Sequence, residues 1–194
     1  IGGRSTEMIL GQGREPRVAE SFAVGSVSLT MRHFADGRLT EAAFREAQIA
    51  AGAELEEALA PFAPRHWQEA LGASGTVGAV SQLLAANGID GGVITPAGLR
   101  WLIERCLRAG HIERLELAGL KEDRRAVIAG GLALLYTLAA HFGIADRSAD
   151  QVAAGVSHEN PGRGKVVDEK ADDGAEQGKS QECRGGAAMQ ERDD

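Results

Sequence analysis

Between Ala126 and Ala145 the chain runs for twenty residues without an Asp, Glu, Lys or Arg. That length would suffice for a bilayer-spanning helix. However, Gly130, Gly131, His141 and Gly143 interrupt it, and much of the rest is Ala rather than Leu. Such a composition gains little from lipid. The run is expected to be a buried core helix, with no membrane association, and its paired glycines let a neighbouring element approach closely. A helix apolar on all sides must be wrapped by other elements, so the preceding residues should supply amphipathic ones.

They do. Thr6–Leu10 and Val18–Val24 alternate like strands and are joined by the turn-rich Gly11–Pro16, which predicts a hairpin. Thr40 is placed as an N-cap for a helix whose stripe runs through Phe44, Ala47, Ala51, Leu55, Ala58 and Phe62, closed by Pro61 and Pro64. Trp67–Leu71 reads as a short strand, followed by a helix from Val77 to Asn87 with Gly88 just beyond it. Thr95-Pro96 opens a further helix carrying Leu99, Leu102, Ile103, Cys106 and Leu107, stopped by Gly110. Cys106 lies on that apolar stripe, the place of a packed core thiol rather than a nucleophile. Interleaved strands and helices predict an α/β fold.

The texture changes after Gly143. All eight aromatics lie between Phe22 and Phe142, and residues 146–194 carry 12 acids and 7 bases among Gly, Ala and Ser. A segment this poor in apolar surface cannot offset the entropy of ordering, so 1–145 is the expected domain and 146–194 an expected disordered tail. The net charge of −7 makes nucleic acid an unsuitable partner. Two cysteines, Cys106 and Cys183, are too few for a disulfide framework, and no secretory leader is expected. The cytoplasm is the expected compartment. Because the chain opens on Ile1 rather than Met, further residues are expected to precede it.

Two small-residue loops can carry chemistry. Ile1-Gly2-Gly3-Arg4-Ser5-Thr6-Glu7 makes a turn whose N–H groups can face an anion, with Ser5 and Thr6 as extra donors. The Glu7 carboxylate there can hold a divalent metal or orient a water. Gly72-Ala73-Ser74-Gly75-Thr76 sits ahead of a helix, where a phosphate is favoured, although Ser74 or Thr76 could equally serve as a plain N-cap. Neither is a Walker A loop, since no Gly-Lys-Ser/Thr follows. Asp123-Arg124-Arg125 offers a guanidinium fork, or simply a solvated helix start.

These segments together resemble the exopolyphosphatase/guanosine pentaphosphate phosphatase (Ppx/GppA) family. The first loop resembles that family's Asp-Ile-Gly-Gly-Gly-Ser-Thr-Glu motif. Glu20-Ser21 with Gly25-Ser26-Val27-Ser28-Leu29-Thr30 resembles the next segment, and Gly72–Thr76 its second loop, Gly-Thr-Ser-Gly-Thr. Ile94-Thr95 with Leu99, Gly119-Leu120 with Arg125, and Gly130-Gly131 with Leu134-Leu135 continue in order to about residue 144.

The resemblance implies the second lobe of an actin-like, sugar-kinase ATPase fold (ribonuclease H-like). It further implies Mg²⁺-assisted removal of a terminal phosphate from inorganic polyphosphate, or of the 5′ γ-phosphate from guanosine pentaphosphate. On this reading Gly2, Gly3, Ser5, Thr6, Gly72, Ser74, Gly75, Thr76 and Arg125 bind phosphate, and Glu7 is both the catalytic carboxylate and the metal ligand. The family's first lobe and the aspartate before the first loop have no counterpart here, Arg4 replaces a glycine, and no Leu-Arg-x-Gly helix follows Ile144. A truncated, weakly active or inactive form is therefore expected, with a homodimer as one possible assembly. The alternative is a non-catalytic fragment that binds polyanions or another subunit.

Overall fold

The computed structural model describes residues 1–144, beginning with the expected hairpin. Strands β1 (Thr6–Gln12) and β2 (Glu15–Phe22) pair antiparallel, with Thr6 opposite Phe22 and Ile9 opposite Ala19. Gly13 turns the chain at φ 62°, and pairing extends into what the sequence presented as a turn, with Gly11 opposite Pro16. The period of two places Met8, Leu10, Val18 and Phe22 on one face, packed on the core, and leaves Glu7 and Ile9 on the other.

Six helices follow among the described residues: α1 (Ser26–His33), α2 (Glu41–Glu54), α3 (Gly75–Ala86), α4 (Pro96–Ala109), α5 (Glu122–Arg125) and α6 (Ile128–His141). The caps are local chemistry. Thr40 accepts from the Ala43 N–H at 3.2 Å and Thr95 from the Gly98 N–H at 3.0 Å, while Gly110 ends α4 in a left-handed conformation. Helix α2 is shorter than its apolar stripe. It stops at Glu54, where Glu54, Glu56 and Glu57 crowd the negative end of the helix dipole, and the stripe continues through a 3₁₀ turn to Phe62.

Helix α6 is the axis of the domain. Eleven of its fourteen residues are buried by protein, and no helix among the described residues is long and apolar enough to cross a membrane. One side of α6 (Leu132, Ala133, Leu135) packs with Phe44, Val80, Leu84, Leu99, Leu102 and Leu115. The other (Leu134, Leu138, then Phe142) packs with Val24, Leu29, Leu55 and Phe62. The charge-free run is thus explained by two core clusters meeting on one helix.

Two expectations need correction. Trp67–Leu71 forms no strand; Trp67 donates its indole N–H to the Phe62 carbonyl at 2.9 Å, and Leu71 is 85% exposed. A strand needs a ladder partner, and both strands of the small sheet lie elsewhere. The fold is accordingly α/β in content, but its strands precede its helices instead of alternating with them. The polar tail at 146–194, with Cys183, lies outside the described residues.

Candidate phosphate site

The first loop folds onto the start of α1. The Gly2 N–H donates to the Ser5 carbonyl at 2.8 Å, closing a tight turn. The Gly2 carbonyl then accepts from the Ser26 N–H at 3.0 Å, and the Gly3 carbonyl from Val27 and Ser28 at 2.9 and 3.0 Å. Loop carbonyls therefore satisfy the donors that a helix N-terminus leaves open, so the start of α1 is occupied by protein. The N–H groups of Gly3 and Arg4 have no partner among the described residues.

The hydroxyls and carboxylate that follow have distinct tasks. Thr6 is buried, and its hydroxyl donates to the Val24 carbonyl at 2.7 Å, tying the strand to the end of the hairpin. Ser5 donates to Glu7 at 2.6 Å. Glu7 is exposed, and that hydrogen bond from Ser5 holds its carboxyl below the ordinary range.

The second loop leads into α3. Ser74 is its N-cap, with Oγ accepting from the Val77 N–H at 3.2 Å. Gly75 and Thr76 are the first two helical residues, so their N–H groups precede the intrahelical ladder and have no partner among the described residues. The Thr76 side chain is buried: its hydroxyl donates to Ser26 Oγ at 3.4 Å, and its methyl lies against Gly131 of α6. Gly72 and Ala73 sit exposed at the outer end of the loop.

Ser26 joins the two loops. Its hydroxyl donates to the Gly2 carbonyl at 3.3 Å while accepting from Thr76, so residues separated by 24 and 50 positions meet on one side chain. Gly3 and Gly75 therefore belong to loops on a common side of α1.

The arginine beside the second loop is Arg124. A Cβ built on Gly75 would lie 3.1 Å from both terminal nitrogens of that guanidinium, so the fork lies close against the start of α3. Arg125, the arginine selected from the sequence, turns the other way, toward the Leu115 carbonyl at 2.5 Å and the Glu122 carboxylate at 3.1 Å. One position along a helix rotates a side chain by roughly 100°, which separates the two roles. Sequence reasoning also missed Ser26. The resemblance of Gly25–Thr30 to a family segment was the available signal, but no pattern gave it a role.

This corner brings a cation and open N–H donors together. Arg124 is a cation held against the positive end of the α3 dipole, with Asp123 at 3.4 Å as its carboxylate partner. A cation there is disfavoured by the dipole unless negative charge lies between them. The N–H groups of Gly75 and Thr76 with the Arg124 fork form a suitable cradle for a phosphoryl group. Among the described residues no three His, Cys, Asp or Glu side chains cluster to hold a metal. Glu7 alone fits a cation that takes one or two carboxylates and completes its shell with phosphate and water, as Mg²⁺ does.

Comparison with known proteins gives the family. The model of the Ppx/GppA phosphatase family matches residues 1–154. A putative exopolyphosphatase of Haemophilus influenzae is 40% identical over 135 residues, covering 70% of this chain and 42% of that protein. A guanosine-5'-triphosphate,3'-diphosphate pyrophosphatase of Aeromonas hydrophila is 36% identical over 144 residues, covering 74% of this chain and 29% of its own. The chain thus spans less than half the length of these relatives. The crystal structure of an exopolyphosphatase-like protein shares the fold, with a TM-score of 0.58 at 22% identity over 77% of this chain and 49% of that one. By the family match and these two independent likenesses, the chain belongs to the Ppx/GppA phosphatase family.

Proposed function

We propose that the chain holds the terminal phosphates of a phosphoanhydride, either inorganic polyphosphate or the 5′ end of guanosine pentaphosphate, as the second lobe of a hydrolase. The observation that carries this reading is the Ser26 bridge, which brings the Gly2 loop and the start of α3 together. The names of the two relatives, which act on these two kinds of substrate, support the substrate class.

Backbone N–H groups of Gly3, Arg4, Gly75 and Thr76 and the Arg124 fork are the phosphate donors on this reading. Ser5, Thr6, Ser74 and Thr76 act through their hydroxyls by fixing the loops, and Gly2, Gly72 and Gly75 by keeping them narrow. Arg125 supports the turn ahead of α6. Glu7, ionised and exposed, either orients the attacking water or supplies the one carboxylate for Mg²⁺. That ion, when bound, would neutralise charge on the transferred phosphoryl group. A phosphoanhydride needs charge neutralisation and an in-line water more than covalent catalysis. The cytoplasm, where nucleotide phosphates reside, is the compartment this activity fits.

Of the carboxylates near the loops, Asp123 is paired with Arg124 and Glu7 alone is left to act on water or metal, which favours binding with little turnover by the chain alone. Calorimetry with tripolyphosphate and a phosphate-release assay with Mg²⁺ test this. The expected result is saturable binding, weakened by Arg124→Gln, with release near background. Absence of binding overturns the site. Robust release abolished by Glu7→Gln overturns the expected incompetence and keeps the site. That shortage of free carboxylates supports a second reading, a polyanion-binding fragment without catalysis, and affinity unaffected by Glu7→Gln with no release in any assay would establish it.

A further inference from the structure

An open surface cavity of about 380 Å³ lies between α2 and α6, well away from both loops. His141 at its edge lies ten residues along α6 from Gly131, or roughly 15 Å at 1.5 Å per residue. Its walls follow helical spacing. Arg45, Gln48, Ile49 and Gly52 come from one face of α2, and Tyr136 and His141 from α6. Gly52 forms the floor: a Cβ there would approach the His141 ring to 2.9 Å, so the imidazole lies down on bare backbone.

Four polar residues are among its lining. The guanidinium of Arg45, the amide of Gln48, the hydroxyl of Tyr136 and the imidazole of His141 have no hydrogen-bond or ion-pair partner among the described residues. Thr137, also in the lining, gives its hydroxyl to the Ala133 carbonyl; the remaining wall is apolar, and Ile49 at the rim is 65% exposed. One cationic fork beside neutral hydrogen-bonding groups and apolar surface complements a single negative charge on an apolar body.

We infer that this cavity binds a small amphiphilic carboxylate, its head group on Arg45 and its apolar body over Ile49 and Ala140. The inference is independent of the phosphate reading. Octanoate, titrated calorimetrically into the full chain, is the probe. One-to-one saturable binding is expected, weaker by about tenfold or more in Arg45→Gln, as loss of a charge-assisted fork implies. Octan-1-ol, which keeps the apolar body and lacks the charge, should bind correspondingly weakly. Ala140→Trp, at an exposed lining position, should fill the cavity and abolish binding with an unchanged circular dichroism spectrum. Tripolyphosphate binding should be the same in both variants, which separates this site from the loops. No saturable octanoate binding, or binding that Arg45→Gln leaves intact, overturns the site. Tighter binding of octyl phosphate than octanoate overturns the choice of carboxylate.

Discussion

A methyl group on Gly130 would overlap the backbone carbonyl of Ser26. It would also come within 2.5 Å of the Thr30 hydroxyl, so α6 and α1 meet backbone to backbone where Ser26 reaches the two loops. Gly130→Ala improves helix propensity by about 1 kcal/mol, but overpacking of this kind costs about 1–3 kcal/mol. The expected result is a less stable chain with weaker tripolyphosphate binding, because Ser26 must move. Urea denaturation and calorimetry measure the two effects. A stabilised variant would show that the helices do not touch there.

Neighbouring arginines should separate binding from stability. Arg124→Gln removes the fork beside Gly75 and is expected to weaken tripolyphosphate binding by about tenfold, with stability changed by only about 0.5 kcal/mol, as for other exposed ion pairs. Arg125→Gln leaves the Leu115 carbonyl short of its donor and should cost about 1–3 kcal/mol while affinity holds. Reversal of this pattern in parallel calorimetry and denaturation would assign the phosphate to Arg125.

Ser5 and Thr6 are adjacent hydroxyls with different measurable consequences. Thr6→Val deletes a buried donor to the Val24 carbonyl and should destabilise by about 1–2 kcal/mol. Ser5→Ala removes the hydrogen bond that lowers the Glu7 pKa, so the carboxyl should titrate nearer its ordinary value. Because the Glu7 pKa is lowered in the folded chain, its contribution is complete above the ordinary pKa and is lost as pH falls through the lowered one. Carbon-13 NMR of the Glu7 carboxyl in the two proteins reads the shift directly.

Cys106 is buried on α4, and its burial pushes the thiol up to about 12. The native thiol should therefore resist alkylation at neutral pH and react on unfolding. In the unfolded chain it ionises near its ordinary value, so alkaline stability should fall between that value and about 12, by about 1.4 kcal/mol per pH unit. Denaturation of Cys106→Ala across this range, showing a flatter pH dependence than the parent, is the check.

What the sequence made legible was local or periodic. Thr40, Thr95 and Gly110 act within one turn of their own helices, and the charge-free run leads straight to α6 because burial on every side leaves no position for a charge. Trp67–Leu71 misled because strand formation depends on a partner that no local pattern reports. At the site, the loops themselves were readable as Gly, Ser and Thr clusters. Ser26 was not, since its importance arises only when three distant segments meet, and which of Arg124 and Arg125 lies beside Gly75 depends on the rotation of a single helical position. Several hydroxyls that looked free to greet a ligand are instead committed to capping or strand closure.

The Ser26 junction also sets how the chain should behave in a drug-discovery setting. Because the loops are fastened to α1, which packs on the central α6, occupancy and melting temperature are linked, and a compound present at a hundred times its dissociation constant should add about 2.7 kcal/mol of protection against heat. Inhibitor screening by thermal shift is then feasible without turnover, a catalytic partner or a labelled substrate.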